Sequence, residues 1–277
     1  MVSFDTIDHG KLREILDQRV RDGVLRRTID KWLKAGVFED GEIHRPEAGS
    51  PQGGVVSPVL ANVYVHEVLD TWFEWAVRPR LRGRAFLVRY ADDFVIVFSH
   101  EEDARRVLEV LPKRFGRYGL TIHPEKTRLV RFRRPQLHSP GRGRDSEGES
   151  PGTFDLLGFT HYWGRTRRGS WVVKRRTASK RFTRAVKAIW AWCRANRHAP
   201  IREQHALLRA KVRGHYQYYG IRGNSSSLSR FNWHVERAWR YWLGRRSQRA
   251  YVSWDRFLAI LARYPLPPPR VNARGVT

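Results

Sequence analysis

Two adjacent acids, Asp92 and Asp93, follow Tyr90-Ala91 and sit between Phe86-Leu87-Val88-Arg89 and Phe94-Val95-Ile96-Val97-Phe98. The large apolar and β-branched residues on both sides predict a strand, a tight turn carrying both carboxylates, and a second strand buried on most of its faces. Taking two carboxylates out of water without nearby cations is costly, so such a turn calls for a counter-charge. A divalent cation suits it, because hard oxygen ligands favour Mg²⁺, which also gathers substrate phosphates. A hairpin turn that simply faces water is the alternative reading of these residues alone.

A second segment, Gly49-Ser50-Pro51-Gln52-Gly53-Gly54-Val55-Val56-Ser57-Pro58, is a Gly/Pro loop leading into a helix marked by Leu60, Val63, Tyr64, Val68, Leu69 and Trp72. Glycines ahead of a helix let a ligand approach the backbone closely, and the free N–H groups there favour an anion. The loop is not of the P-loop type, since no Gly-Lys-Ser/Thr follows. Taken alone, an ordinary turn and helix start is the plainer reading.

The elements around these motifs change character along the chain. Residues 8–20 carry Leu12, Ile15 and Leu16 at helical spacing, with Asp5 or Thr6 as the expected cap. A second helix is expected over 22–35 through Val24, Leu25, Ile29, Trp32 and Leu33. Residues 134–152, rich in Pro, Gly, Ser and charge, cannot bury a core and predict a mobile loop. A β-hairpin is expected across 153–161 and 170–174, turning near 164–169. After Thr177 the apolar period becomes helical, in three stripes. Phe182, Val186, Ile189 and Trp190 form the first, and Leu207, Leu208, Val212 and Tyr216 the second. Leu228, Phe231, Val235, Trp239 and Trp242 form the third. These aromatics read as core, and His215 among its tyrosines as a packed residue rather than a base.

Composition narrows the partners. A chain of 277 residues can form one large domain or two ordinary ones. Its 53 Lys and Arg against 27 Asp and Glu give a net charge of +26, and 44 of the 53 are Arg. Arg grips phosphate with a planar fork of donors, so the balance favours a polyanionic partner. No apolar run is long enough to span a membrane. The single Cys193 excludes an internal disulfide and any multi-cysteine zinc site, which fits a cytoplasmic protein.

Five ordered blocks together resemble reverse transcriptases. They are Phe4-Asp5-Thr6-Ile7-Asp8-His9, Gly49-Ser50-Pro51-Gln52-Gly53, Tyr90-Ala91-Asp92-Asp93, the run from Gly119 to Thr127, and Leu156-Leu157-Gly158-Phe159. The pattern is similar to a bacterial group II intron reverse transcriptase and maturase. Downstream, Arg213-Gly214-His215-Tyr216-Gln217-Tyr218-Tyr219-Gly220 and Trp239-Arg240-Tyr241-Trp242-Leu243 resemble that family's maturase thumb. The resemblance covers nearly the whole chain and is weakest over 134–152.

The resemblance implies an α+β fold. An incomplete right-hand polymerase palm (antiparallel sheet with packed helices) over 1–175 would precede an all-α maturase thumb over 176–277 with a Pro-rich tail. It implies two-metal nucleotidyl transfer with Mg²⁺, in which Asp92 is the main metal ligand of the turn and Asp93 supports it. Phe4 would stack under the incoming sugar and reject its 2′-hydroxyl. Gln52 and Gly53 would line the nucleotide and template pocket, and Lys126 would sit near the leaving pyrophosphate. Arg175, Arg176, Lys180, Arg181, Arg184 and Lys187, beside the apolar stripes, would hold group II intron RNA and an RNA–DNA duplex through phosphates and shape. Deoxynucleoside triphosphates are further partners where the full-length site is present.

The same resemblance places the family's other metal-binding Asp five residues before Phe4, two residues upstream of Met1. Fingers segments precede it in the family. The expectation is therefore an N-terminally truncated chain with impaired chemistry, in which Asp5 does not replace the missing ligand because strand alternation aims it differently. A non-catalytic module that clamps intron RNA, or a decayed mobile-element fragment, are the alternatives.

Overall fold

The computed structural model describes residues 8–34, 37–39, 42–44, 57–135, 152–247 and 249–271. Phe4, Gln52, Gly53 and most of the loop expected over 134–152 lie outside them. The chain divides into two units, residues 1–130 and 131–277, each mixing helices with small antiparallel sheets.

In the first unit the residue that caps the first helix is neither Asp5 nor Thr6 but Asp8. Helix α1 (His9–Asp17) is capped by Asp8, whose side chain accepts from the Lys11 N–H at 3.0 Å. Asp22 does the same for α2 (Gly23–Lys34), accepting from Val24 N and Leu25 N at 2.7 and 3.1 Å. An Asp side chain satisfies N–H groups that a helix start leaves without partners. A short hairpin, β1 (Val37–Glu39) and β2 (Glu42–His44), follows. Leu12, Ile15, Leu16, Ile29 and Leu33 then pack with Leu60, Tyr64 and Val65 of α3 (Ser57–Val65) and with Leu111 and Phe115 of α4 (Glu101–Arg117). Beyond α3 the helix widens to π-helical winding over His66–Thr71 and Phe73–Val77. Such wide turns often mark functional positions.

The hairpin around the acid pair forms as expected, from β3 (Ala85–Tyr90) and β4 (Asp93–Phe98), with Tyr90 opposite Asp93 as its last pair. Its burial differs from the expectation. Ala85, Leu87, Ile96 and Phe98 pack on Phe73, Val77 and Val107, whereas Phe86, Val88, Tyr90 and Val97 on the alternate face are exposed. The reason is the two-residue period of a strand: among the described residues only one face has helices against it.

The second unit opens on a three-stranded antiparallel sheet of β5 (Phe154–Leu156), β6 (Phe159–Arg165) and β7 (Trp171–Thr177). Helices α5 (Ser179–Ala195), α6 (Ile201–Tyr219) and α7 (Ser225–Leu243) follow. The stripes read from sequence supply their core: Ile189, Leu208, Val212, Tyr216, Leu228, Phe231, Val235 and Trp239 are buried together, while Leu207 faces solvent. A further helix that the sequence reading did not mark, α8 (Trp254–Arg263), adds Phe257 to that core and is capped by Ser253. Buried Asn224 joins sheet to helices. Its Oδ1 accepts from Thr177 N, and its Nδ2 donates to Thr177 Oγ1 and Tyr219 O, each at 2.9 Å. Among the described residues no helix is long and apolar enough to cross a membrane.

His215 is the packed residue the sequence suggests. It lies against Phe231 with ring centroids 3.7 Å apart, and its Nε2 has no hydrogen-bond partner among the described residues. Burial pushes its pKa down to about 4.

Asp103, 1% exposed in the first turn of α4, accepts from Arg82 N and Gly83 N at 2.9 and 3.1 Å and so ties α4 to the bend before β3. Asp103→Ala strands both donors and should cost about 2–3 kcal/mol in urea unfolding; a loss below about 0.5 kcal/mol would contradict this role. For His215, the unfolded chain takes up the proton near the ordinary imidazole pKa and the folded chain only near 4. Its contribution is therefore present above the ordinary value and is lost as pH falls toward the lower one. His215→Phe should flatten the stability curve over that acid window; an unchanged acid loss would show that other groups set it.

Candidate metal-binding turn and nucleic-acid surface

The turn between β3 and β4 has two central residues, Ala91 and Asp92. Ala91 is left-handed at φ 53°, a conformation that residues bearing a Cβ avoid. Asp92 and Asp93 are both half-buried. Neither carboxylate has an ion-pair or hydrogen-bond partner among the described residues. The neighbouring cation is committed elsewhere: Arg89 Nε and Nη2 donate to the two oxygens of Asp70 at 2.7 and 2.6 Å. Two adjacent, half-buried, unpartnered carboxylates repel each other and favour a cation between or beside them. Their donor chemistry fits Mg²⁺, which is commonly held by one or two carboxylates and completes its shell with water and substrate phosphate. No group of three or more metal-ligating side chains exists among the described residues.

Lys126 is exposed on a single 3₁₀ turn, Pro124–Lys126. The structure thus brings Asp92 and Asp93 together and gives Lys126 its own local element.

The basic residues expected to meet RNA are all exposed. Arg175 and Arg176 lie on β7, and Lys180, Arg181, Arg184 and Lys187 recur along one side of α5. Arg176 lies over the Tyr162 ring at 5.2 Å across the sheet. Charge is divided unevenly between the two parts of the chain. Residues 152–277 hold 27 Lys and Arg against 4 Asp and Glu, and residues 1–151 hold 26 against 23, so +23 of the net +26 lies in the later part. Ion pairing follows the same division. Those among the described residues run from Arg13–Asp30 to Lys113–Glu109, and none involves residues 152–271.

Several arginines there stack on aromatic rings instead. Arg237 lies over Trp233 at 4.3 Å, Arg240 over Trp254 at 4.4 Å and Arg245 over Tyr241 at 5.1 Å. Trp233, Tyr241 and Trp254 are each at least 40% exposed, unlike the aromatics of the core stripes. The sequence reading assigned its aromatics to the core. Trp233 and Tyr241 fall off the period of the third stripe, and that displacement is the signal for a ring left at the surface.

Comparison with known proteins adds an independent line. Residues 2–161 match the family model of the reverse transcriptase (RNA-dependent DNA polymerase). The group II intron-encoded protein LtrA of Lactococcus lactis subsp. cremoris is 43% identical over 65 residues, covering 24% of this chain and 11% of LtrA. Protein YkfC of Escherichia coli (strain K12) is 29% identical over 160 residues, covering 46% of this chain and 40% of YkfC. The putative COX1/OXI3 intron 1 protein of Saccharomyces cerevisiae is 27% identical over 175 residues, covering 46% and 21%. The chain thus matches less than half the length of each of these relatives.

Proposed function

The chain belongs to the reverse transcriptase (RNA-dependent DNA polymerase) family and is similar to group II intron-encoded proteins, and we propose that it supplies the palm and thumb of an RNA-directed DNA polymerase that grips group II intron RNA. In this reading residues 1–175 are palm and 176–277 thumb. The observation that carries it is the Asp92–Asp93 turn, two half-buried carboxylates without a cationic partner among the described residues, while the nearby Arg89 is bound to Asp70.

Mg²⁺, when bound, would favour the deprotonated primer 3′-hydroxyl and offset triphosphate charge. The chain's own residues then divide the remaining work. Asp92 holds the cation and Asp93 supports it. Lys126 offers a positive charge to the departing pyrophosphate. Phe4 packs under the sugar, and Gln52 and Gly53 border the nucleotide and template. Arg175, Arg176, Lys180, Arg181, Arg184 and Lys187 neutralise phosphates, a role supported by their exposure and by the scarcity of acids after residue 151. Trp233, whose ring carries Arg237 on one side, offers a stacking surface for an unpaired base.

A structured intron RNA titrated over a salt series tests the grip. If about six phosphates are neutralised, log affinity falls against log salt with a slope of about −4 to −5. Reversing Arg181, Arg184 and Lys187 to Glu should weaken binding and flatten that slope. Trp233→Ala should weaken binding to single-stranded RNA by about 1–3 kcal/mol and leave the slope unchanged, because a stacked base releases no counterion. Asp92→Ala should leave RNA affinity intact. A flat salt response, or full affinity in the triple reversal, would overturn this assignment.

A further inference from the structure

The turn that carries the acid pair is held from below by one side chain. Arg89 is the penultimate residue of β3 and, by strand alternation, lies on the face opposite Tyr90. Its side chain is 13% exposed, and that of Asp70 is 24% exposed. Nε and Nη2 engage both Asp70 oxygens at 2.7 and 2.6 Å, while Nη1 donates to Asn62 Oδ1 at 2.9 Å and to the Ala91 carbonyl at 3.0 Å. Four of the five guanidinium N–H groups are thereby used. Asp70 has a second partner, His66 Nδ1 at 3.1 Å, and both residues come from the π-wound segment His66–Thr71.

We infer that Arg89, braced by Asp70, is a positioning residue that fixes the Asp92–Asp93 turn for cation binding. The inference deepens the proposed function and rests on its reading of Asp92 and Asp93. Ala91 at φ 53° sits in a conformation that costs a non-Gly residue about 1–2 kcal/mol, so its surroundings must impose it. The Ala91 carbonyl belongs to the rigid peptide plane that continues into Asp92 N. Fixing that oxygen therefore fixes the direction in which Asp92 leaves the turn. Only a forked donor can hold a carboxylate with one edge and a carbonyl with the other, so Lys cannot substitute.

Electrostatics alone predicts the opposite sign, which makes the inference sharp. Arg89 is a cation near a cation site. If it acted only through charge, its removal would strengthen metal binding. If it positions the turn, its removal weakens it.

Mn²⁺ titration of the whole chain, followed by electron paramagnetic resonance of the free ion, separates the two. The unaltered chain should bind at about millimolar or tighter, as one or two carboxylates allow, and Asp92→Asn should remove most of that binding. Arg89→Lys, Arg89→Gln and Asp70→Asn, each checked for an unchanged melting profile, should weaken Mn²⁺ by roughly 10-fold, the scale of residues that orient metal ligands. Combining Arg89→Gln with Asp70→Asn should add nothing further, because both break one clamp. Where Arg89→Gln does not fold, Arg89→Lys carries the test, because it keeps the charge: a role through charge alone leaves Mn²⁺ binding unchanged, whereas the clamp requires it to weaken. Tighter or unchanged binding in folded Arg89 variants, with Asp92→Asn still deleterious, overturns the clamp alone. Mn²⁺ binding indifferent to Asp92→Asn overturns the reading of the turn and the clamp with it.

Discussion

Unpaired charge is the constraint around which this molecule is organised. In residues 13–113 acids and bases neutralise each other: Arg13 with Asp30, Arg26 with Asp17, Arg89 with Asp70, Arg105 with Glu101. Asp92 and Asp93 stand apart from that scheme. The later part of the chain does so on a larger scale, with 27 bases against 4 acids. A fold that tolerates so much like charge needs partners of opposite sign. In the proposed reading that partner is a hard cation for the turn and a polyanion for the later unit. A polymerase working on nucleic acid supplies both, since Mg²⁺ and phosphate arrive together in its substrate.

The two units share a device for holding strained turns. Ala91 in the first unit is left-handed at φ 53° and its carbonyl is held by Arg89. Leu157 in the second is left-handed at φ 50°, and its carbonyl accepts from Tyr218 Oη at 2.9 Å. In both, a non-Gly residue takes a conformation that Gly would accept freely, and a side chain anchors it. At Leu157 the anchor comes from α6. Beside it, Gly158 at φ 77° leaves no room for more, since an added Cβ would meet Tyr219 Oη at 3.2 Å. The block Leu156-Leu157-Gly158-Phe159 and the tyrosines at the end of α6 are thus one packing unit, to which Asn224 adds its three bonds with Thr177 and Tyr219. Strained turns of this kind keep their shape only while the neighbouring helix is in place, which couples local geometry to the core.

Much of this was legible in the residues. The apolar runs flanking Asp92-Asp93 specify the hairpin through their strand character, and the three stripes after Thr177 specify helices through their spacing. Long, periodic segments carry that information redundantly. Other features depend on single contacts. Nothing local distinguishes Asp8 from Asp5 or Thr6 as a cap until the first helical turn is placed. One-sided burial of β3 and β4 was hidden because Phe86, Val88 and Val97 are as apolar as the residues that pack. Asp70 gave no sign of its role, because its partner Arg89 is 19 residues away and only the π-wound helix brings the two together. Trp254 and Phe257 lie in a short helix bordered by arginines, where a brief apolar period does not stand out.

The measurement closest to the central claim is paramagnetic mapping of the cation site. Substoichiometric Mn²⁺ added to the ¹⁵N-labelled chain should broaden the backbone amides of residues 90–94 before any others, and the double change Asp92→Asn, Asp93→Asn should abolish that effect. Broadening that begins at another acidic stretch, such as residues 101–103, or that persists in the double variant, would contradict the account.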